Sequence, residues 1–308
     1  VSGSNNCFIG NTAYGSSTTV SNEITMGNTA VTKFRIPGIN FVIKDTTATD
    51  NYVLTVDANG EAGWEAAAAG ATDIDGLSDA ITNSSGGTVG LGTGALANDD
   101  GTANNNTALG YKAGEDITSG TGGVFVGYEA GLQATTAGYP VAIGYHAIGE
   151  GVMTGTDNTA IGQDAGFRLT SGTYNFFAGY QTGYNVTTAT NTISIGRSAL
   201  SVGTVTGDSN IAIGSYSGSR LTSGYSNVFV GNQAGVNATT CYENIAIGDG
   251  AMGQGVAAGE GYNSAIGYQA GYKLTTGNYN VIMGGFRAGY NITTGSNNII
   301  IGHEADSS

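Results

Sequence analysis

His146 and His303 are the two histidines of the 308-residue chain, and Cys7 and Cys241 are its two cysteines. Each histidine follows closely on a glycine. Neither has a Ser, Cys or carboxylate at a spacing that nucleophile or general-base chemistry uses, so both read as turn or surface side chains. A histidine on a threefold axis would meet two copies of itself and could hold a metal, a reading set below the turn. The cysteines lie far apart with no second thiol near either, which leaves them as small buried hydrophobes. Gly90-Leu91-Gly92-Thr93-Gly94 has the glycine density of a phosphate-cradling loop, yet no long helical pattern follows it. Asp99, Asp100 and Asp116 offer carboxylates for Ca²⁺, but neither calcium-loop pattern surrounds them. Asn83, Asn105, Asn185, Asn237 and Asn291 fit the glycosylation sequon, and the last three occupy one repeat position, where a turn Asn followed by Thr is sufficient. The expectation is no catalytic, cofactor-binding or metal-ligating residue, no cofactor, and no enzyme.

Tyr111, Tyr128, Tyr145, Tyr180 and Tyr268 form a more regular set, because each directly follows a glycine that closes a short apolar run. Aromatic faces stack on sugars and the phenol adds a hydrogen-bonding tip, so these five are the candidate glycan contacts. Packing along the edge of a repeat structure is the competing reading.

The glycines preceding those tyrosines belong to an array. Gly92, Gly110, Gly127, Gly144, Gly162, Gly179, Gly196, Gly214, Gly231, Gly248, Gly267, either Gly284 or Gly285, and Gly302 recur at spacings of 17 to 19. Two earlier copies, Asn6 to Gly10 and Glu23 to Gly27, extend the pattern upstream. A longer period overlies it: Asn-Thr-Ala-Leu-Gly at 106 returns in variants at 158, 210 and 263, every 52 or 53 residues, so three coils make a super-repeat. Before each anchor stands a strand-forming tripeptide such as Val228-Phe229-Val230. Its last residue is apolar almost throughout, which predicts that this face is buried; the middle residue is often Ala, and Phe at Phe125, Phe177 and Phe229, which predicts packing on the other face as well. The anchor glycine allows a corner that a Cβ would obstruct, and the Asn four residues earlier is expected to take a left-handed conformation or bond its own turn. Stacked at about 4.8 Å, those Asn residues (6, 106, 158, 175, 210, 227, 244, 263, 280 and 298) would form an amide ladder. By the same reading Gly151 and Gly207, away from the corner, are expected to tolerate substitution.

Composition agrees with stacked backbone. There are 54 glycines, 2 prolines and 10% charged residues, while 40% hydrophobic content argues against disorder. A net charge of −14 gives no footprint for phosphate backbones or anionic lipid, so nucleic-acid partners are not expected. No apolar run approaches the length of a membrane span and no signal peptide is recognisable. The chain starts at Val1, inside a repeat, which predicts a piece of something longer.

Residues 28–90 interrupt the array. Thr29 to Ile43 alternates as a strand bent at Pro37-Gly38, and Tyr52 to Trp64 reads as a hairpin around Asp57-Ala58-Asn59-Gly60. Ile74, Leu77 and Ile81 make an apolar seam too short for a lone helix, which suggests a neck shared by identical chains. The expected organisation is the end of an upstream array at 1–27, an insert and neck at 28–90, and a β-solenoid at 91–308.

The Asn-x-Ala-Ile-Gly-x-x-Ala coils resemble the head repeats of trimeric autotransporter adhesins, which implies a parallel β-roll built from three chains. The long Asn/Gly/Thr coils, the insert RIPGINFVIKDTTATDNYVLTVDANGEAGW and the segment TDIDGLSDAI resemble bacteriophage tail fibres and related virion appendages. That resemblance implies an all-β, parallel β-solenoid or β-roll fibre, trimeric, extracellular, with a host cell-surface glycan or protein receptor as partner and no membrane insertion. The head of a bacterial surface adhesin is the alternative. An ice-binding face, suggested by Thr or Ser pairs at the eighth and ninth positions after eight anchors, is weakened because they vanish in each third coil, as at Val152-Met153. A polysaccharide depolymerase is weakened because the acids are scattered singly.

Overall fold

The computed structural model describes strand segments 7–9, 24–26, 52–56, 62–66 and 80–83, together with residues 87–102, 104–254 and 261–306. The chain divides into two compact units, 1–68 and 69–308. In the first, β1 (Cys7–Ile9) pairs in parallel with β2 (Ile24–Met26), in register 17 residues apart, as the upstream copies of the repeat require. There too β3 (Tyr52–Val56) and β4 (Ala62–Ala66) pair antiparallel, as the expected hairpin requires, while its turn at 57–60 lies outside the described residues. The expected strand from Thr29 to Ile43 lies outside the described residues.

The second unit is an all-β parallel solenoid. One fourteen-stranded sheet carries its strands in strict chain order, so every coil hydrogen-bonds to the coil before and after it. β5 (Ala80–Asn83) opens the sheet antiparallel to β6 (Thr88–Leu91), and every later strand, to Ile299–Ile301, is parallel. Ile81 therefore lies on a strand opposite Gly90, not on a helical seam, while Ile74 and Leu77 lie outside the described residues. At one strand spacing per coil, the twelve steps from Leu91 to Ile301 span roughly 58 Å.

Each coil turns through residues of positive φ. The anchors from Gly92 to Gly302 reach values between +116° and +137°, apart from the coil at Gly284. An added Cβ at Gly110 would fall on the carbonyl of Gly127, and one at Gly127 on that of Gly144, because the anchors stand one above another. Gly284, not Gly285, continues that stack; the next residue pairs shift at Tyr268 and Phe286, which makes Gly285 the extra residue of a bulge.

The Asn residues four before the anchors do not take the left-handed conformation. Their predecessors do, including Asp157 at +58°, Tyr174 at +58° and Ser209 at +60°, and so turn the Asn side chains into the core. There they form the amide ladder. The side chain of Asn227 donates to Oδ1 of Asn210 at 3.0 Å, Asn263 to Asn244 at 3.0 Å, and Asn280 to Asn263 at 2.9 Å. Each also crosses the coil, Asn158 reaching the carbonyl of Gly172 at 2.8 Å and Asn227 that of Cys241 at 2.9 Å. Pro140 occupies one ladder position, where the rung before it is Gly123 and offers no side-chain acceptor to the N–H that proline lacks.

Packing on the middle-residue face is met, whereas the face of the first and third residues, also expected to be buried, is turned outward. The middle residue of each tripeptide points into the solenoid and is fully buried (Ala108, Phe125, Ala142, Ala160, Phe177), while its two neighbours point outward. Inside, ring size is matched to glycine. Phe125 packs where Gly114 and Gly131 have no side chain, Phe177 over Gly166 and Gly183, and Phe229 over Gly218 and Gly235. On the intervening coils the residue corresponding to those glycines is Leu96, Ile148, Leu200 or Met252, all buried.

Candidate functional site

Outward-pointing strand residues make the most extended feature of the solenoid. Leu109 is 52% exposed, and Ile143, Ile161, Phe176, Ile193, Ile245, Ile247, Val281 and Met283 lie between 36% and 40%. Val124, Val126, Ile211, Ile213, Val228 and Val230 are half-buried in the same two columns. Strict in-register pairing sets these columns, because every tripeptide places its first and third side chains above those of the preceding coil. The result is an apolar strip two side chains wide along the stack. A soluble monomer rarely exposes a contiguous patch beyond a few hundred Å².

Tyrosine columns stand at both ends of the strands. The five candidate tyrosines lie just after the anchors and are 40% to 48% exposed. Tyr111 stacks on Tyr128 and Tyr128 on Tyr145, each at 5.1 Å between ring centroids, so neighbouring rings cover one another's faces and present edges and hydroxyls. Tyr268 stacks on Phe286 at 5.3 Å, and His303 on Phe286 at 5.4 Å. Tyr180 is joined by no other ring among the described residues. The neighbouring carboxylate of Glu129 accepts a hydrogen bond from Tyr128 and raises its phenol above the ordinary range.

Sequence reasoning missed a second column at the corner before the strand. Tyr139 is 64% exposed, Tyr174 61% and Tyr279 56%, and Tyr225, Tyr242, Tyr262 and Tyr279 form a continuous run of ring contacts over four coils. Their signal was available as Tyr recurring five or six residues before an anchor. It was hidden because the position also accepts Asp157, Asn191 and Ser209.

The remaining candidates are engaged in the stack. His146 sits between two carboxylates, with Nε2 at 2.8 Å from Glu129 and Nδ1 at 3.7 Å from Asp164. Asp100 accepts from the backbone N–H and hydroxyl of Thr102 and from Asn104, and the Thr102 backbone bond leads in lowering its carboxyl pKa. Asp99 accepts from Gly101, Asn104 and Asn106, and Asp116 from Asn98. No group of three or more metal-ligating side chains gathers among the described residues. Asn185 and Asn237 donate their amides to carbonyls of the next coil at 2.7 and 2.9 Å, and Asn291 donates to Asp306 at 2.9 Å. Gly92 and Gly94 turn a solenoid corner, with Gly92 against the backbone of Gly110. The first Thr of several pairs is also occupied, as in Thr118 to the Thr135 carbonyl and Thr222 to that of Thr239. Cys241 is buried, and burial pushes its thiol up to about 11. No helix among the described residues is long and apolar enough to cross a membrane. No protein-family model, curated protein or solved structure matches the chain.

Proposed function

We propose that the chain is a structural attachment fibre, a bacteriophage tail fibre or similar virion appendage, which works outside the cell as a homotrimer and binds a host cell-surface glycan or protein. Its repeating unit in this reading is three coils, about 52 residues, and the alternation of Phe with Ile148, Leu200 and Met252 in the core supports that unit. The observation that carries the assignment is the outward apolar strip with its tyrosine borders. At roughly 58 Å long and 15–20 Å wide it offers on the order of 1,000 Å² per chain, the scale of a stable subunit interface. Two further copies of the same surface supply matching periodicity at no cost in register, because each chain rises by the same step. The function needs no catalytic step: the stack holds the corners at fixed spacing for contact with a surface.

Two measurements test this reading. Glutamate in place of Ile161 and Ile247 should turn the trimer into monomers while leaving the β-sheet circular dichroism intact. Labelled wild-type chain should be retained by intact cells from a panel of bacteria, saturably and in competition with unlabelled chain; retention by none of them would count against attachment.

A further inference from the structure

Tyr139, Asp157 and Tyr174 occupy the same corner on three successive coils, each five residues before its anchor glycine. Their φ values of +55°, +58° and +58° are alike, and in-register pairing of the strands that follow holds the three positions one above another. Where two tyrosines fall on consecutive coils at this corner, they close on each other, as Tyr262 and Tyr279 do with centroids 5.0 Å apart. Asp157 keeps Tyr139 and Tyr174 one coil further apart, so their positions are separated by two strand spacings, about 9.6 Å. They are the two most exposed tyrosines among the described residues, and neither touches another ring there. The ring of Tyr139 rests against Gly122 on the coil before, where an added Cβ would meet it, so its open side is toward Asp157.

Between the two rings stands an exposed carboxylate. Among the described residues the side chain of Asp157 has no hydrogen bond or ion pair, and the only Lys or Arg between residues 113 and 196, Arg168, bridges Glu150. Two ring faces with a negative charge between them suit a cation. Held midway, it would lie about 4.8 Å from each ring, inside the roughly 6 Å over which a ring face attracts positive charge. A primary ammonium brings three N–H groups that need acceptors. The corner carbonyls of Gly138 and Thr156 already accept from the N–H groups of Asp157 and Tyr174 at 2.8 and 3.1 Å. A trimethylammonium group has no N–H to satisfy and turns its methyls to the rings, whereas a neutral sugar would leave Asp157 without a counter-charge. We propose that Tyr139, Asp157 and Tyr174 form an open clamp for a trimethylammonium group, as carried by choline and by phosphocholine headgroups. The net charge of −14 favours the approach of such a cation. All three residues belong to one chain, so the clamp depends neither on the trimer nor on attachment.

Saturation-transfer NMR on the whole chain tests it, with choline and tetramethylammonium as probes and the uncharged tert-butyl analogue of choline and methyl galactoside as comparison arms. Asparagine is the substitution to use, because Asn191 occupies this corner at φ +57° and the coil keeps its turn. Transfer to both cations is expected, weakened roughly fivefold or more by Tyr139→Asn, Tyr174→Asn or Asp157→Asn, and unchanged by Tyr174→Phe, which keeps the ring face. No transfer to either cation, equal transfer to the uncharged analogue, transfer to the galactoside alone, or cation binding that survives Asp157→Asn and Tyr174→Asn together overturns the proposal. Flotation with phosphatidylcholine vesicles separates the sources, and either result leaves the clamp standing: flotation lost on Asp157→Asn assigns a lipid headgroup, and choline binding without flotation assigns a soluble cation.

Discussion

A side chain at Gly162 would meet the carbonyl oxygen of Gly179 at 2.5 Å, and the backbone there has φ of +127°, so both sterics and conformation exclude it. Gly151 lacks the positive φ, yet an added Cβ would fall on the carbonyl of Leu169, and one at Gly207 on that of Gly224. The tolerance expected of Gly151 and Gly207 is thus overturned by stacking: the extra residues of the third coil press their backbone onto the next coil. Gly162→Val and Gly151→Val should each destabilise their own and adjacent coils by at least 1–3 kcal/mol. Gly285→Ala, with nothing within 4 Å of the new methyl, should stay within about 0.5 kcal/mol. Hydrogen exchange resolved by coil will show whether the two classes separate. Cys241 gives a pH test. Its thiol rises from an ordinary 9.0 to about 11, so the folded chain keeps a proton that the unfolded chain loses in that interval. Stability should therefore fall as pH rises from 9 to about 11, and a Cys241→Ala variant should lose that part of the slope. Thiol reagents at pH 8 should leave Cys241 unlabelled in a Cys7→Ser background until the chain unfolds.

The coil is the element that the sequence makes legible, and it is legible because a corner in a stack tolerates only glycine. Anchor spacing yielded the parallel order, the strand tripeptides and the Asn ladder. It did not tell the two apolar faces apart: packing of the middle residue is met, while the first and third residues, also expected to be buried, face outward. Val228 and Val230 are as apolar as Phe229, and hydrophobicity alone cannot tell a core face from a face that another chain would cover. The decisive clue was size, since the middle column alternates Ala and Phe in step with glycines four residues after the anchors. That complementarity makes a prediction for one coil. Phe177→Ala should cost about 3–5 kcal/mol by opening a cavity between Gly166 and Gly183. Phe177→Ile should cost markedly less, because Ile282 fills the equivalent space between Gly271 and Gly289. Exchange should accelerate in the coils next to residue 177 before it does in distant ones, as a one-dimensional array requires.

At the scale of the whole molecule the two faces of the sheet divide the work. The inner face closes each chain on its own, with Asn158, Asn227, Asn263 and Asn280 hydrogen-bonded across the coil or from coil to coil, and the outer face leaves Ile, Val and Leu side chains facing solvent along the stack. Sequence could not separate these roles, because the tyrosines that border the outer face look like any turn residues until the coils are superposed. Sedimentation equilibrium of the 308-residue chain at micromolar concentration addresses the central claim most directly. The account predicts a single species at three times the 30.8 kDa chain mass, reduced to that of one chain by glutamate at Ile161 and Ile247. A wild-type chain that sediments at 30.8 kDa with its β-sheet spectrum intact would contradict it.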